Sequence, residues 1–152
     1  MIKHKMVGVC SRKLTPKTDD RGWFVEVMRA DDCEFEVKQT SYTVTHPGVI
    51  KAWHWHHYQA DAWFVVKGRA RAVLYDLRPS SPTYEQFEVV YIGEPNYTLL
   101  VIPPWVAHGY QVLGKEDFCM FYHTDKAYDR VNPDEQRIGF DALGFDWEVK
   151  NR

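Results

Sequence analysis

Short runs of alternating polar and apolar residues, each ended by glycine or proline, most restrict how this chain can fold. Alternation with a period of two is typical of a strand with one buried face, whereas an amphipathic helix repeats every three to four residues. Many short strands separated by turn residues indicate an all-β jelly-roll barrel. We predict strands at residues 35–44, 49–57, 62–67, 69–77, 87–92, 97–102, 109–113 and 118–123.

The helical signal is weak throughout and is best near the C-terminus, at residues 132–137. There Asn132 suits an N-cap and Pro133 suits the first helical position. We therefore expect short helical segments near the C-terminus, beside the barrel. The length of 152 residues fits one domain, and the chain contains no repeat or long linker. We expect a single domain over residues 1–152.

Composition and charge exclude several classes of partner. The formal net charge is −2, so the chain lacks the strongly basic face that nucleic-acid binding requires. The longest apolar run is too short to span a bilayer, and the first residues do not resemble a signal peptide. Three cysteines without a CxxC pair are typical of reduced thiols. We therefore expect a cytoplasmic protein that binds neither nucleic acid nor membrane.

Histidines cluster in the strand predicted for residues 49–57. His54 and His56 share one face of that strand because side chains alternate, and Asp61 follows shortly after. The spacing G-x5-H-x-H-x4-D resembles the first motif of the cupins, and IPPWVAHG around His108 resembles their second. This resemblance implies a cupin-type barrel with one divalent ion (Fe, Mn, Ni, Zn or Cu) on His54, His56, Asp61 and His108. The alternative is that these side chains contact substrate without a metal ion.

A second resemblance covers most of the chain, from about Asp20 to Trp147. Five segments occur in the order, and at nearly the distances, found in the dTDP-4-dehydrorhamnose 3,5-epimerase family. They are DRGWFVE at 20–26, GVIKAWH at 48–54, DLRPSSPTY at 76–84, IPPWVAHGY at 102–110 and YHTDKAY at 122–128. Because the segments are collinear, the chain resembles a divergent member of that family within the cupins.

The epimerase resemblance implies proton transfer next to the ketone of a nucleotide-linked 4-keto-6-deoxy sugar. By this resemblance His54 is the catalytic base and Tyr122 the acid that returns the proton on the other face. The enolate oxygen requires a cation or hydrogen-bond donor nearby, which is either Lys51 or a metal ion, and the guanidinium of Arg21 suits the diphosphate. The resemblance also implies a homodimer and a reaction that requires no cofactor. The other substrate-binding positions that it implies are Phe24, Glu26, Gln39 and Tyr128.

Several residues depart from the epimerase pattern. Lys51 replaces the family's arginine, Asp61 replaces its pocket lysine, and His56 replaces a glutamine. The last two changes also complete the metal-ligand set, so the two resemblances compete for His54. A ligating imidazole has committed its lone pair and cannot also act as a base. We also expect no counterpart of the C-terminal aspartate that orients the base in the family.

Two further functions therefore remain open. One is a metal-dependent cupin enzyme, an isomerase or a dioxygenase, that acts on another small molecule. The other is a non-catalytic cupin that binds a sugar.

Aromatic residues make up 15% of the chain, which favours either strands or a pocket lined by rings. We expect Trp53, Trp55 and Trp63 to pack the barrel. We expect Trp23 and Trp105 to lie at the site.

Overall fold

The structure is a computed structural model that describes residues 1–29 and 35–150. Within these residues there is no helix, and hence none long and apolar enough to cross a membrane. In chain order the strands are β1 (Ile2–Lys3), β2 (Cys10–Lys13), β3 (Lys17–Asp19), β4 (Gly22–Phe24), β5 (Gln39–Thr45), β6 (Ile50–His56), β7 (Asp61–Lys67), β8 (Arg69–Asp76), β9 (Phe87–Gly93), β10 (Thr98–Ile102), β11 (Val106–Leu113), β12 (Phe118–Thr124) and β13 (Glu135–Arg137).

The strands predicted from the period-two pattern are confirmed by β5 to β12. Two of them start three or more residues from the predicted position: β5 begins at Gln39 rather than at residue 35, and β11 begins at Val106 rather than at 109. The strands β1 to β4 were not predicted. Each has only two to four residues, which is too short for an alternation to be recognised.

The strands form two large antiparallel sheets that pack face to face. One has the order β1-β2-β10-β7-β12-β5 and the other the order β13-β6-β11-β8-β9, while β3 and β4 form a separate hairpin. The all-β, cupin-type jelly roll is therefore confirmed, although hydrogen bonds do not close the two sheets into one continuous barrel. Side chains from both inner faces meet in the main core, among them Val65, Leu74, Leu100, Val112 and Phe118.

Two smaller apolar clusters cover the outer faces of the sheets. Phe64 and Leu99 of the six-stranded sheet pack against Leu14 and Phe35 from the N-terminal segments. On the five-stranded sheet, β6 contributes Trp53, which packs in the third cluster together with C-terminal aromatic residues. The chain ends are thus folded onto the sheets, which holds the C-terminal segment beside β6.

The helix predicted at residues 132–137 is wrong, because this segment forms β13. Glu135 pairs with His56 and Arg137 with His54 in an antiparallel ladder along β6. The ladder is extended by Trp53 and Ile138, whose backbones exchange hydrogen bonds of 3.0 and 3.2 Å. A local N-cap provides hydrogen bonds to only a few backbone groups. The open edge of β6 offers hydrogen-bond partners for the complete set of backbone groups that face it.

The close approach of β11 to β6 depends on Gly109. The register of the two strands shifts between His108 and Tyr110. A Cβ atom on Gly109 would lie 2.3 Å from the Cβ of Ala52 and 2.8 Å from the carbonyl oxygen of Lys51. Only glycine therefore allows the two strands to meet where both carry candidate site residues.

We expect Gly109→Ala to lower the free energy of unfolding by about 1–3 kcal/mol, because the added methyl forces β11 away from β6. For a chain of this size, that corresponds to a melting temperature lower by roughly 2–10 °C, measurable by circular dichroism. Adding Ala52→Gly removes the atom of closest contact and should restore part of the loss. An unchanged melting temperature in Gly109→Ala would contradict this account.

Candidate active site

A cavity of about 900 Å³ opens between the two sheets. This volume falls within the range of small-molecule sites. Of the eleven residues to which the sequence assigns a catalytic, substrate-binding or metal-binding role, eight line it. The lining residues are Gln39, Lys51, His54, His56, Asp61, His108, Tyr122 and Tyr128.

The proposed base and acid come from opposite walls of the cavity. His54 lies on β6 of the five-stranded sheet, and Tyr122 lies on β12 of the six-stranded sheet. Both side chains are partly buried and line the same space. A ring placed between the sheets therefore has an imidazole on one side and a phenol on the other.

His54 is held by a carboxylate that the sequence patterns did not reveal. Its Nδ1 lies 2.5 Å from Oε1 of Glu135, and Arg137 donates a hydrogen bond of 2.9 Å to the other carboxylate oxygen. The hydrogen bond from His54 lowers the pKa of Glu135 to about 2, with Arg137 contributing and burial opposing. Glu135 is therefore ionised at neutral pH. Its only sequence signal is the i, i+2 spacing to Arg137, since it lies 81 residues from His54.

His56, Asp61 and His108 form a buried cluster in the wall of the cavity. The two oxygens of Asp61 each lie 3.6 Å from an imidazole Nε2, one of His56 and one of His108. The Nδ1–H of His108 donates to the carbonyl of Val106 at 2.9 Å, so its neutral Nε2 carries the lone pair and faces Asp61. Burial lowers the pKa of His108 to about 4, with Asp61 opposing, which keeps this imidazole neutral.

The four predicted metal ligands divide into a group of three and one separate histidine. One ligand atom from each of His56, Asp61 and His108 lies within 4.8 Å of the others. His54 stands apart, with its ring 6.5 Å from that of His108 and its Nδ1 on Glu135. The geometry thus removes the competition for His54, because a base and a three-residue cluster can exist side by side.

Two side chains organise the cluster and its surroundings. The amide of Gln59 donates to Asp61 at 2.8 Å and lies 3.2 Å from Nε2 of His56. Trp63 packs edge-on against the ring of His108 at 5.2 Å and lines the cavity. Trp63 therefore belongs to the site as well as to the core, where it was expected.

The other cavity residues fix its rim. Oε1 of Gln39 accepts a hydrogen bond of 2.8 Å from the backbone of Tyr128, so this pair shapes the loop after β12. Lys51 donates to Thr43 at 3.1 Å. Arg137 also lines the cavity, and it is a cation that the motifs did not indicate.

Arg21, Phe24 and Glu26 do not line this cavity within one chain. Arg21 and Phe24 lie in the β3–β4 hairpin, where Arg21 pairs with Asp19 and Phe24 is 61% exposed. Glu26 forms an exposed ion pair with Arg29 at 3.3 Å.

Two tryptophans expected at the site also lie elsewhere. Trp105 stacks on Trp55 at 5.0 Å and meets His57 edge-on at 4.6 Å, apart from the cavity. Trp23 is half exposed beside Tyr97.

Comparison with known proteins agrees with this fold. The family model for dTDP-4-dehydrorhamnose 3,5-epimerase matches residues 3–152. The spore coat polysaccharide biosynthesis protein SpsL of Bacillus subtilis is 45% identical over 95% of this chain and 98% of its own. A probable low-salt glycan biosynthesis epimerase of Haloferax volcanii is 36% identical over 91% of this chain and 92% of its own.

Solved structures give the same result. A dTDP sugar isomerase from Desulfovibrio desulfuricans superposes with a TM-score of 0.90 at 28% identity, covering 97% of this chain and 95% of that one. The resemblance seen in the sequence is thereby confirmed, and so is its implication of an isomerase rather than a non-catalytic binding protein. The chain is a nucleotide-sugar epimerase that belongs to the dTDP-4-dehydrorhamnose 3,5-epimerase family.

Proposed function

We propose that this protein inverts a carbon next to the ketone of a nucleotide-linked 4-keto-6-deoxy sugar, with His54 as base and Tyr122 as acid. The observation that carries this proposal is their placement on opposite sheets around one cavity. Inversion requires a proton to leave one face of the carbon and return to the other. Two groups on facing walls meet that requirement, whereas a single group does not.

The chemistry follows from the acidity of carbon next to a carbonyl group. His54 Nδ1 is engaged by Glu135, so Nε2 is the nitrogen left to take the proton. The bonding electrons pass to the carbonyl oxygen and form an enolate. Tyr122 then gives its hydroxyl proton to the opposite face of the carbon, and the enolate electrons return to form the new C–H bond. The tyrosinate is reprotonated from solvent and the imidazolium of His54 releases its proton to solvent, which restores both groups.

Positively charged side chains support a nucleotide diphosphate as the part of the substrate that the protein binds. Lys51, Lys126 and Arg137 all line the cavity, and each can bind phosphate oxygens. We propose dTDP as the nucleotide, because the family model is named for a dTDP sugar. We also place the protein in the cytoplasm, which its three cysteines without a CxxC pair support.

We expect His54→Asn to lower turnover by about 10²–10⁴-fold and to abolish deuterium incorporation from heavy water at C3 or C5. Tyr122→Phe should lose inversion but keep exchange, because His54 can remove and return the proton on one face. NMR and mass spectrometry of dTDP-4-keto-6-deoxyglucose incubated with each variant measure both quantities.

The matched control is His46→Asn, since His46 is exposed and pairs with Asp117 away from the cavity. This variant should retain full activity. Wild-type exchange in His54→Asn would contradict the assignment of the base.

We further propose that His56, Asp61 and His108 bind one divalent cation, such as Zn²⁺ or Mn²⁺. Two imidazoles and a carboxylate are a common donor set for these ions, and the lone pair of His108 already faces Asp61. Nδ1 of His56 has no hydrogen-bond partner in the described part of the chain. An ion here would act as a Lewis acid toward the substrate oxygen. The epimerase resemblance puts a lysine in the place of Asp61, so an ion would restore a positive charge there.

We expect a divalent ion at 100 times its dissociation constant to stabilise chelator-treated protein by about 2.7 kcal/mol. The melting temperature should then rise by roughly 5–10 °C. Asp61→Asn should lose this rise, whereas Asp129→Asn, an equal change in the same cavity, should keep it. The site would be refuted by the absence of a shift with Zn²⁺, Mn²⁺, Fe²⁺, Ni²⁺ and Cu²⁺, or by an equal shift in Asp61→Asn.

We propose that the protein is a homodimer in which the β3–β4 hairpin serves the partner's cavity. The hairpin presents Trp23 and Phe24 to solvent at 50% and 61% exposure, and Arg21 beside them is exposed as well. Large exposed aromatic side chains next to a guanidinium are typical of a contact surface. A second copy would cover these rings and would bring Arg21 to a bound diphosphate.

Light scattering should therefore give twice the mass of the chain. Co-expression of His54→Asn with Arg21→Ala tests whether Arg21 acts across the dimer. Each mixed dimer should then have about half of wild-type activity, because one of its two cavities is complete. Since random pairing makes about half of the dimers mixed, the co-expressed sample should recover about a quarter of wild-type activity. Recovery no greater than that of the separate variants would place Arg21 with its own cavity or outside catalysis.

A further inference from the structure

We propose that Glu135 is the positioning residue of His54, fixing the ring and the tautomer that lets Nε2 act as base. This inference rests on the proposed function, because it gives a partner to the proposed base. The carboxylate comes from β13, a strand that pairs directly with β6.

The hydrogen bond determines which nitrogen of His54 is available. A carboxylate can only accept, so at 2.5 Å the proton between Nδ1 of His54 and Glu135 belongs to the imidazole. In the neutral ring, Nε2 then carries the lone pair. Without this acceptor the proton can sit on either nitrogen, and part of the protein would present an N–H where a base is needed.

Glu135 is itself held in place from several directions. Its backbone lies opposite His56 in the β13–β6 ladder, and Arg137 binds its second oxygen at 2.9 Å. The neighbouring Asp134 accepts hydrogen bonds of 3.0 to 3.1 Å from the backbone of residues 57–59. The segment is therefore fastened to β6 and to the loop after it, which leaves Glu135 little freedom to swing away from His54.

The other carboxylates near His54 have different partners. Asp61 lies between His56 and His108 and accepts from Gln59, and Asp134 is occupied by backbone N–H groups. Glu135 is thus the carboxylate that bonds to His54 among the residues described. Its charge also stabilises the imidazolium that forms when His54 takes a proton, which a neutral partner would not do.

Three substitutions separate the charge of Glu135 from its role as acceptor. Glu135→Gln keeps the shape but removes the charge, and we expect kcat to fall by about 10²-fold with KM changed by less than about threefold. Glu135→Asp keeps the charge and should recover part of kcat. Glu135→Met removes the acceptor, and ¹⁵N NMR of the histidine rings should show the fixed Nδ1–H form of His54 in wild type become a mixture.

Glu88→Gln is the matched control. Glu88 bonds to Nδ1 of His4 at 2.8 Å, outside the cavity, so it is an equivalent pair without a role in the reaction. This variant should leave kcat unchanged. The NMR measurement needs no substrate and assigns the His54 signals by comparison with His54→Asn.

The outcomes separate this inference from the proposed function. A fall in kcat with Glu135→Gln, together with a tautomer mixture in Glu135→Met, supports it. An unchanged kcat, or the same tautomer in wild type and Glu135→Met, overturns it. If wild type exchanges no deuterium with dTDP-4-keto-6-deoxyglucose, the proposed function fails, and the tautomer measurement alone then decides whether Glu135 fixes His54.

Discussion

The backbone pairing of β6 on both of its edges is the constraint on which the site depends. On one edge β11 approaches closely because residue 109 is glycine, and this puts His108 opposite His54. On the other edge β13 brings Glu135 to the same histidine. The hydrogen bonds of an antiparallel ladder are directional, so they place these side chains more firmly than a loop would. Activity and stability are therefore coupled through one strand.

Each histidine of the cavity wall has a different contact. A carboxylate holds Nδ1 of His54, whereas a backbone carbonyl holds Nδ1 of His108. His56 meets Asp61 and Gln59. The cupin and epimerase resemblances conflict only if all the histidines converge on one point. The structure separates them, so both sets of residues can function in the same cavity.

The main strands could be predicted from the sequence, because burial of one face makes polar and apolar residues alternate along each strand. The motifs also identified His54, His56, Asp61 and Tyr122, which line one cavity, because the spacing within a motif follows from how its strands pair. The prediction failed at β13, because Asn132 and Pro133 resemble the start of a helix. This segment pairs with the open edge of β6, which is distant in sequence and therefore leaves no local pattern. Glu135 was missed for the same reason.

In the proposed reaction, Asp61 is the departure from the family pattern that puts a buried carboxylate in the cavity wall. A buried carboxylate near a forming enolate raises the free energy of that enolate, so a positive charge has to compensate. The guanidinium of Arg137 is already partly neutralised by Glu135. The ammonium of Lys51 donates to Thr43, which leaves two of its three N–H groups for substrate oxygen or phosphate. Lys51 cannot serve the diphosphate and the enolate at once, because these groups lie several bonds apart on the substrate. If Lys51 binds the diphosphate, the charge next to the enolate has to come from Lys126 or Arg137, which also line the cavity, or from a cation bound by Asp61 itself.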